Sequence, residues 1–368
     1  MFYGSFHRAS SKLTIGRRVD FWRRHFTRTR HLRMEPSGET RGAAEKHGVD
    51  MCGEAGELLT ILQLSDSTFP ISGFAHSNGY EAYLKNGLLR DVEAFAGFCE
   101  EILSNAATLQ MPFVSASHTV CSSQVNDDAT FDEDEKTHQE SELLKRIAAL
   151  DRRLSASLHN QVAARASVRQ GKGLVSIVSD MFPPELQQEK LSACPETCLS
   201  ASFGSQIGAP PSSSSYYSSS SSSCSSSSPP VVAPSFSEAS KTCVQSERRR
   251  GRVLGRMRKW CEGNVAGMRG HFACVFGTVC ALLNVSLETS QKAFLFALLR
   301  TTLTAAVREG SLISATQAQV LLYSSHRRIQ ELVRRYGQLG CEEAHIRFPL
   351  PEISHSTHEL FFSKLFTS

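Results

Sequence analysis

LLTILQLSDSTFPISGFAHSNGYE, from Leu58 to Glu81, is the stretch that decides how this chain is organised. Apolar residues at helical spacing predict a short helix at its start. Five residues then end that helix, because they compete for its backbone hydrogen bonds or lack a donor: Ser65, Asp66, Ser67, Pro70 and Gly73. Asn78 and Glu81 have the spacing of a capping box, which predicts a second helix from there. Phe69 and Phe74 between the helices indicate a loop that packs on a core or faces a partner.

The rest of the chain predicts an all-α fold, a compact bundle of about ten helices with long disordered insertions. Apolar stripes at three- and four-residue spacing run from Leu143 to Leu158 and from Leu295 to Val307, and no run alternates with a period of two. Helix-start signals occur at Asp91, at Ser286 and at the pair Ser314 and Gln317. Gly310 is a helix-stop signal.

Composition divides the chain into four segments. Residues 1–56 are basic and predicted to be disordered, and residues 57–181 form the first part of a helical domain with an acidic insertion at about 121–140. Residues 182–262 are a Ser-rich insertion predicted to be disordered, because a polyserine run such as Ser212–Ser228 cannot bury enough apolar surface to offset its chain entropy. Residues 263–368 complete the helical domain and form the C-terminal tail.

Charge and cysteine usage restrict the compartment and the partners. The net charge of +4 is small, and the eleven cysteines include no C-x-x-C pair, which indicates a reducing, cytoplasmic setting. The Arg-rich N-terminus has the composition of an organellar transit peptide or of a disordered basic tail, so transit is the minor alternative. No apolar run is long enough to span a membrane. No nucleic-acid-binding fold follows the basic segment, so nucleic acid is not expected as a partner.

Catalysis is not indicated, because the chain has none of the G-x-S-x-G, H-E-x-x-H or phosphate-loop motifs. We therefore expect a non-catalytic protein with no catalytic residues. His271, on an apolar segment, is expected to be a hydrogen-bonded core residue. His355 and His358 have a spacing that can place two imidazoles on one metal ion, but tight metal binding by this chain alone is not expected.

The Leu58–Glu81 stretch resembles the N-terminal signature of the urease accessory protein UreF family. The matching residues are Leu62, Gln63, Leu64, Asp66, Ser67, Phe69, Pro70, Gly73, Phe74, His76, Ser77, Gly79 and Glu81. Ser72 stands where the family has a glycine, and Tyr80 where it has leucine.

Three later segments are similar to further motifs of this family, in the same order along the chain. They contain Arg165, Ala166, Ser167, Gln170 and Gly171, then Gly270, His271, Phe272, Val275, Phe276 and Gly277, and finally Ile353, His358, Glu359, Leu365, Phe366 and Ser368. Arg300 and Arg308 lie in a fourth segment that is similar to a family motif. Lys364 replaces the family's arginine, which keeps the charge but loses the planar fork.

The resemblance implies a urease accessory protein, a nickel-insertion chaperone that bridges UreD/UreH and the GTPase UreG and engages apo-urease. It also implies homodimerisation, possible modulation of GTP hydrolysis and only transient handling of Ni²⁺, with no tightly bound cofactor. A generic helical adaptor without a role in urease maturation and a direct nickel-binding protein are the alternatives.

The residues expected at partner surfaces share the family motifs, and no metal ligand is assigned. They are Asp66, Ser67, Phe69, Pro70, Gly73, Phe74, His76, Ser77, Gly79, Glu81, Arg165, Arg300, Arg308, His358, Glu359, Lys364, Leu365, Phe366 and Ser368. Four further motif residues are expected to be structural: Ser167, Gly171, His271 and Gly277. Ser167 and Gly171, four residues apart, predict close approach of another helix.

Overall fold

A computed structural model describes residues 53–65, 73–123, 133–182 and 236–368. Within these ranges the secondary structure is helical and contains no strand, which confirms the predicted all-α fold. No helix in the described part of the chain has the length and apolarity needed to cross a membrane. Asp66, Ser67, Phe69, Pro70 and Ser72 lie outside the described residues.

The chain divides into two compact units. One unit joins Met1–Asp180 to Val253–Ser368, and the other is Met181–Arg252. The helices before residue 182 are α1 Gly53–Leu64, α2 Tyr80–Lys85, α3 Val92–Asn105, α4 Met111–Ser122, α5 Glu133–Ser157 and α6 Gln161–Asp180. The later ones are α7 Phe236–Gly263, α8 Phe272–Leu282, α9 Leu287–Glu309, α10 Ala315–Ser324, α11 His326–Tyr336 and α12 Pro349–Ser356.

The predicted helix boundaries are confirmed where a capping side chain marks them. Asp91 Oδ1 accepts a hydrogen bond from the Ala94 amide at 2.8 Å, at the start of α3. Ser286 caps α9, and Gly310 ends that helix in the left-handed conformation. Ser314 and Gln317 form a reciprocal capping box at the start of α10.

Three segment boundaries need correction, because helices extend into segments assigned to insertions. Helix α7 begins at Phe236, inside the 182–262 segment, and α5 begins at Glu133, inside the acidic insertion at about 121–140. Helix α1 begins at Gly53 rather than after residue 56. The charged residues at the start of α5 and α7 are helical, so composition alone made the two predicted insertions too long.

A π-helix, Ala106–Gln110, joins α3 to α4, and Pro112 explains why it is tolerated. Proline has no amide hydrogen, so it cannot bond the carbonyl of Thr108 four residues earlier. That carbonyl instead accepts a hydrogen bond from the His345 amide at 3.1 Å. The hydrogen bond from His345 to the π-helix thereby joins the segment before α12 to α3 and α4.

Two glycines allow α8 to lie against its neighbours at backbone distance. A Cβ atom on Gly277 would lie 2.2 Å from the carbonyl oxygen of Val114 in α4. A Cβ on Gly171 in α6 would lie 2.1 Å from the carbonyl oxygen of Gly270, just before α8. Since neither site has room for a methyl group, α8 is held between α4 and α6 by direct backbone contact.

The N-terminus of α8 is satisfied by side chains from two other helices. The buried carboxylate of Asp151 in α5 accepts hydrogen bonds from the amides of Arg269, Gly270 and His271 at 2.6, 3.2 and 2.7 Å. The Ser167 hydroxyl in α6 accepts a further one from the Phe272 amide at 3.1 Å. Four amides that the helix itself cannot bond are therefore paired, and three helices are joined at one point.

Candidate functional site

The separate sequence motifs meet around one cavity of about 540 Å³. Its walls are mainly apolar, and a few polar groups line it. The motif residues among them are Gly73, Phe74, Ala166, Ser167, Gln170, Phe272, Phe276, Arg300 and Arg308. Glu352 and His355 of α12 also line the cavity, and burial raises the pKa of the Glu352 carboxyl. A cavity of this size with few polar groups is typical of a binding site.

Beside the cavity, the buried carboxylate of Glu81 holds the C-terminal tail, residues 361–368. One oxygen accepts the Leu365 amide at 2.8 Å, and the other accepts the Phe366 amide at 3.0 Å. His358 Nε2 lies 3.1 Å from the second oxygen, and Lys85 Nζ lies 2.8 Å from the first. Burial alone would raise the pKa of Glu81, but Lys85, the two amides and His358 outweigh it and lower that pKa. The carboxylate is therefore ionised at neutral pH and fully engaged.

The last two residues of the tail are fastened to the same loop. The Ser77 amide and hydroxyl both donate to the Ser368 backbone oxygen, at 2.8 and 2.7 Å. His76 Nδ1 lies 2.6 Å from the Ser368 hydroxyl oxygen, and the Thr367 amide donates to the Ala75 carbonyl at 2.8 Å. The described end of the signature loop, residues 73–79, is thus hydrogen-bonded to the tail, although the two are far apart in sequence.

The predicted capping box of Asn78 and Glu81 is wrong. Asn78 has a left-handed φ of 52°, and Gly79, with φ of 86°, is the residue before α2. The Asn78 side chain instead donates to the Leu298 carbonyl and the Thr302 hydroxyl of α9, at 3.3 and 3.2 Å. Gly79 is needed for space as well, because a Cβ there would lie 3.0 Å from the His355 ring. Both signature residues therefore serve tertiary contacts.

Arg308 is enclosed by aromatic rings from the loop and the tail. Its guanidinium lies 3.6 Å from the centre of the Phe74 ring and 4.6 Å from that of Phe366. It also donates a hydrogen bond to the Phe74 carbonyl. Burial lowers the pKa of Arg308. The exposed Phe74 is thus held in place by a cation from α9, and Phe366 is buried under the same cation.

Glu359 links the tail to α6. Its carboxylate pairs with Arg165, and its carbonyl accepts a hydrogen bond from Lys364 Nζ at 3.1 Å. Both charged side chains of the pair are about half exposed, so the pair stabilises the tail only weakly. Lys364 therefore donates its hydrogen bond to a backbone carbonyl and not to a carboxylate.

Three histidines of the site lie close together and are buried: His76, His355 and His358. Burial lowers the pKa of His355 to about 3, with a smaller contribution from the positive charges that His358 and His76 would carry. Burial also lowers the pKa of His76 to about 4, assisted by Arg169. Within the described residues no group of three or more His, Cys, Asp or Glu side chains has the arrangement needed to hold a metal ion.

These two low pKa values predict that acid destabilises the fold. The pKa of a histidine in the unfolded chain is near 6.5. Between about pH 4 and 6.5 the unfolded state therefore binds more protons than the folded state does. Stability should therefore fall as the pH drops through this window, by about 1.4 kcal/mol per pH unit for each histidine. Urea unfolding at pH 7 and pH 5 measures the slope.

The control for this prediction is a histidine at the surface. His355→Gln should remove its share of the pH slope, whereas His138→Gln, at an exposed position on α5, should leave the slope unchanged. Equal slopes in the parent and in His355→Gln would contradict the assignment.

The described tail region presents apolar side chains to solvent. Phe362 is fully exposed, Leu360 is 82% exposed, and Leu365 and Ile353 are about 60% exposed. Phe74 in the signature loop is 70% exposed, and it shares the guanidinium of Arg308 with Phe366 of the tail. We call these five exposed residues the tail surface. Several exposed large apolar residues on a hydrogen-bonded framework make this region the candidate protein-binding surface.

The residues predicted to be structural lie in the core around α8. Ser167, Gly171 and Gly277 make the contacts described above. His271 is buried, but neither ring nitrogen has a hydrogen-bond partner among the described residues, so the expected hydrogen-bonded state is corrected. Burial lowers the pKa of His271.

Sequence reasoning missed several residues that position the site. Asn105 accepts hydrogen bonds from the Arg347 and Phe348 amides at 3.1 and 2.7 Å, which fixes the segment that leads into α12. Asp151 and Glu352 were also not singled out. A buried polar residue on an apolar helix face was the available signal, but the sequence does not say which distant amides it bonds.

The described helices form an all-α scaffold whose separated motifs converge on one cavity and on the C-terminal tail. Comparison with known proteins gives the family. The UreF family matches residues 89–326, more than half of the chain. The chain therefore belongs to the UreF family.

Plant and bacterial relatives bear similar names. The chain is 26% identical over 309 residues to urease accessory protein F of Oryza sativa subsp. indica, which covers 84% of each chain. It is 26% identical over 308 residues to the Arabidopsis thaliana protein of the same name, covering 83% of this chain and 90% of the relative. Urease accessory protein UreF of Yersinia enterocolitica is 38% identical over 64 residues, which is 17% of this chain and 28% of the relative.

Proposed function

We propose that this protein is a non-catalytic urease maturation chaperone that bridges UreD/UreH and the GTPase UreG and presents them to apo-urease. It assists delivery of Ni²⁺ into the urease active site and modulates GTP hydrolysis by UreG. It acts in the cytoplasm as a homodimer. Nickel is the cargo of this assembly and passes transiently, without a tight site on this chain.

The tail surface is the observation that supports this function most directly. Glu81, Ser77 and Arg308 hold the loop and the tail together, so the exposed rings of Phe74 and Phe362 are presented on an ordered backbone. Ordering before binding reduces the entropy lost on association. Aromatic residues, phenylalanine among them, are enriched in protein interfaces relative to the rest of the surface.

Co-expression with the cognate UreD and UreG tests this function. The parent protein should give a stable ternary complex on size exclusion at micromolar concentration. Phe362→Asp should weaken the complex by about 10- to 100-fold, because a charge would replace an aromatic contact. Tyr323→Asp, at another exposed ring on α10, is the matched control and should leave the complex intact.

Two results would overturn the proposal in different ways. If the parent forms no ternary complex at micromolar concentration, the chaperone function is wrong. If Phe362→Asp and Tyr323→Asp both assemble like the parent, the tail surface is not the contact.

A further inference from the structure

A second concave surface lies on the side of α6 that faces the segment before α8. It is a groove of about 290 Å³, and its cationic lining residues are Arg165, Arg169, Lys172 and Arg269. We call it the basic groove. Three of the four cations lie at positions i, i+4 and i+7 of α6, so they follow one helix face over about 10 Å.

Three of these cations have no ion-pair partner in the part of the chain that the structure describes. Arg165 pairs with Glu359, but the side chains of Arg169, Lys172 and Arg269 make no ion pair or hydrogen bond within the described ranges. The nearest buried carboxylate, Asp151, already accepts the three amides before α8. Glu262, near Cys261, pairs with Arg258. Like charges four residues apart on one helix face disfavour each other, and an anion placed between them relieves this repulsion.

The groove also has an unpaired polar group in its lining. His271 contributes to the lining, is fully buried, and has no hydrogen-bond partner on either ring nitrogen in the described part of the chain. Buried polar groups are normally paired, so this imidazole behind the groove has hydrogen-bonding capacity that the described residues leave unused.

The chemistry of the groove favours carboxylates over phosphate. Phosphate sites commonly use backbone amides at a helix N-terminus, and the amides before α8 are already bonded to Asp151. Ala164 and Val168 add carbon surface between the cations, which suits the stem of a peptide side chain. An arginine–carboxylate ion pair of the proposed kind is present at one end of the groove, between Arg165 and Glu359.

We propose that the basic groove docks an acidic polypeptide segment of a partner protein, with carboxylates on alternate residues meeting Arg169, Lys172 and Arg269. An extended segment places alternate side chains on one side about 7 Å apart, so two carboxylates fit along the cationic row of about 10 Å on α6, and a third can reach Arg269. This inference stands on the charges of this chain alone and does not depend on the ternary complex proposed above.

A peptide-binding measurement on the full chain tests the groove. The probe is a fluorescein-labelled peptide in which glutamate alternates with serine, followed by anisotropy at low salt. The parent should bind it, and a peptide with glutamine in place of glutamate should not bind. The double variant Arg169→Gln, Lys172→Gln should weaken binding by about tenfold, since each exposed charge contact contributes modestly. Arg269→Gln, at an exposed position before α8, should weaken binding in the same direction.

The matched control is Arg334→Gln on α11, which removes one exposed positive charge away from the groove and should leave binding unchanged. The proposal is overturned if the parent does not bind the peptide, or if the groove variants bind it as tightly as the parent. It is also overturned if inorganic phosphate displaces the peptide at an ionic strength at which chloride does not, because the groove would then be a phosphate site.

Discussion

Replacing Glu81 with glutamine should release the C-terminal tail while the helical body stays folded. The carboxylate accepts the Leu365 and Phe366 amides and contacts His358 and Lys85, and an uncharged amide of the same size cannot accept all four. Hydrogen bonds to a charged group contribute about 1.5 to 3 kcal/mol each. We therefore expect the protection of the Leu365 and Phe366 amides against hydrogen exchange to fall by at least about 100-fold.

The same substitution should weaken partner assembly, because the tail surface would no longer be held in one conformation. Glu93→Gln, at an exposed position on α3, is the control and should change neither tail protection nor assembly. Full protection of Leu365 and Phe366 in Glu81→Gln would show that the carboxylate does not hold the tail. Loss of assembly with full tail protection would assign Glu81 a direct partner contact instead.

Gly277→Ala should strongly destabilise the helical bundle. The new Cβ would lie 2.2 Å from the Val114 carbonyl oxygen, and this backbone atom cannot rotate away as a side chain can. Helices α4 and α8 would have to separate, which costs about 3 kcal/mol, the upper part of the usual range for overpacking. The better helix propensity of alanine offsets at most about 1 kcal/mol of this. Urea denaturation measures the loss.

Gly97→Ala on α3 is the matched control, because a Cβ there meets no atom within 4 Å. The alanine should raise the free energy of unfolding by about 0.5 to 1 kcal/mol through its helix propensity alone. Two glycine-to-alanine changes in helices should thus have opposite signs. If Gly277→Ala were neutral, the close approach of α4 and α8 would be wrong.

The sequence predicted the elements with local signals. The capping residues Asp91, Ser286 and Ser314 act within four residues of themselves, so the spacing of residue types was sufficient to place them. The all-α class followed from apolar stripes that are indeed buried, as at Leu144 and Leu299. The UreF resemblance rested on motifs in order along the chain, and the family match confirms it.

Local reasoning was wrong where a residue serves a distant contact. Asn78 and Glu81 have the spacing of a capping box, but Asn78 bonds α9 and Glu81 bonds the tail. Buried imidazoles are usually hydrogen-bonded, but neither ring nitrogen of His271 has a partner among the described residues. The partner roles of the motif residues, including those outside the described ranges, stay predictions that the experiments above test.

The sequence by itself determined the all-α class, the helix caps at Asp91, Ser286 and Ser314, and the family, because these depend on residues within a few turns of one another or on the order of motifs. Only the tertiary structure showed that residues 75–81 hold the C-terminal tail through Glu81 and Ser77, and that cations line one face of α6. These features join residues far apart in the chain, and the choice among distant amides and charges is made by packing geometry, which leaves no periodic pattern in the sequence.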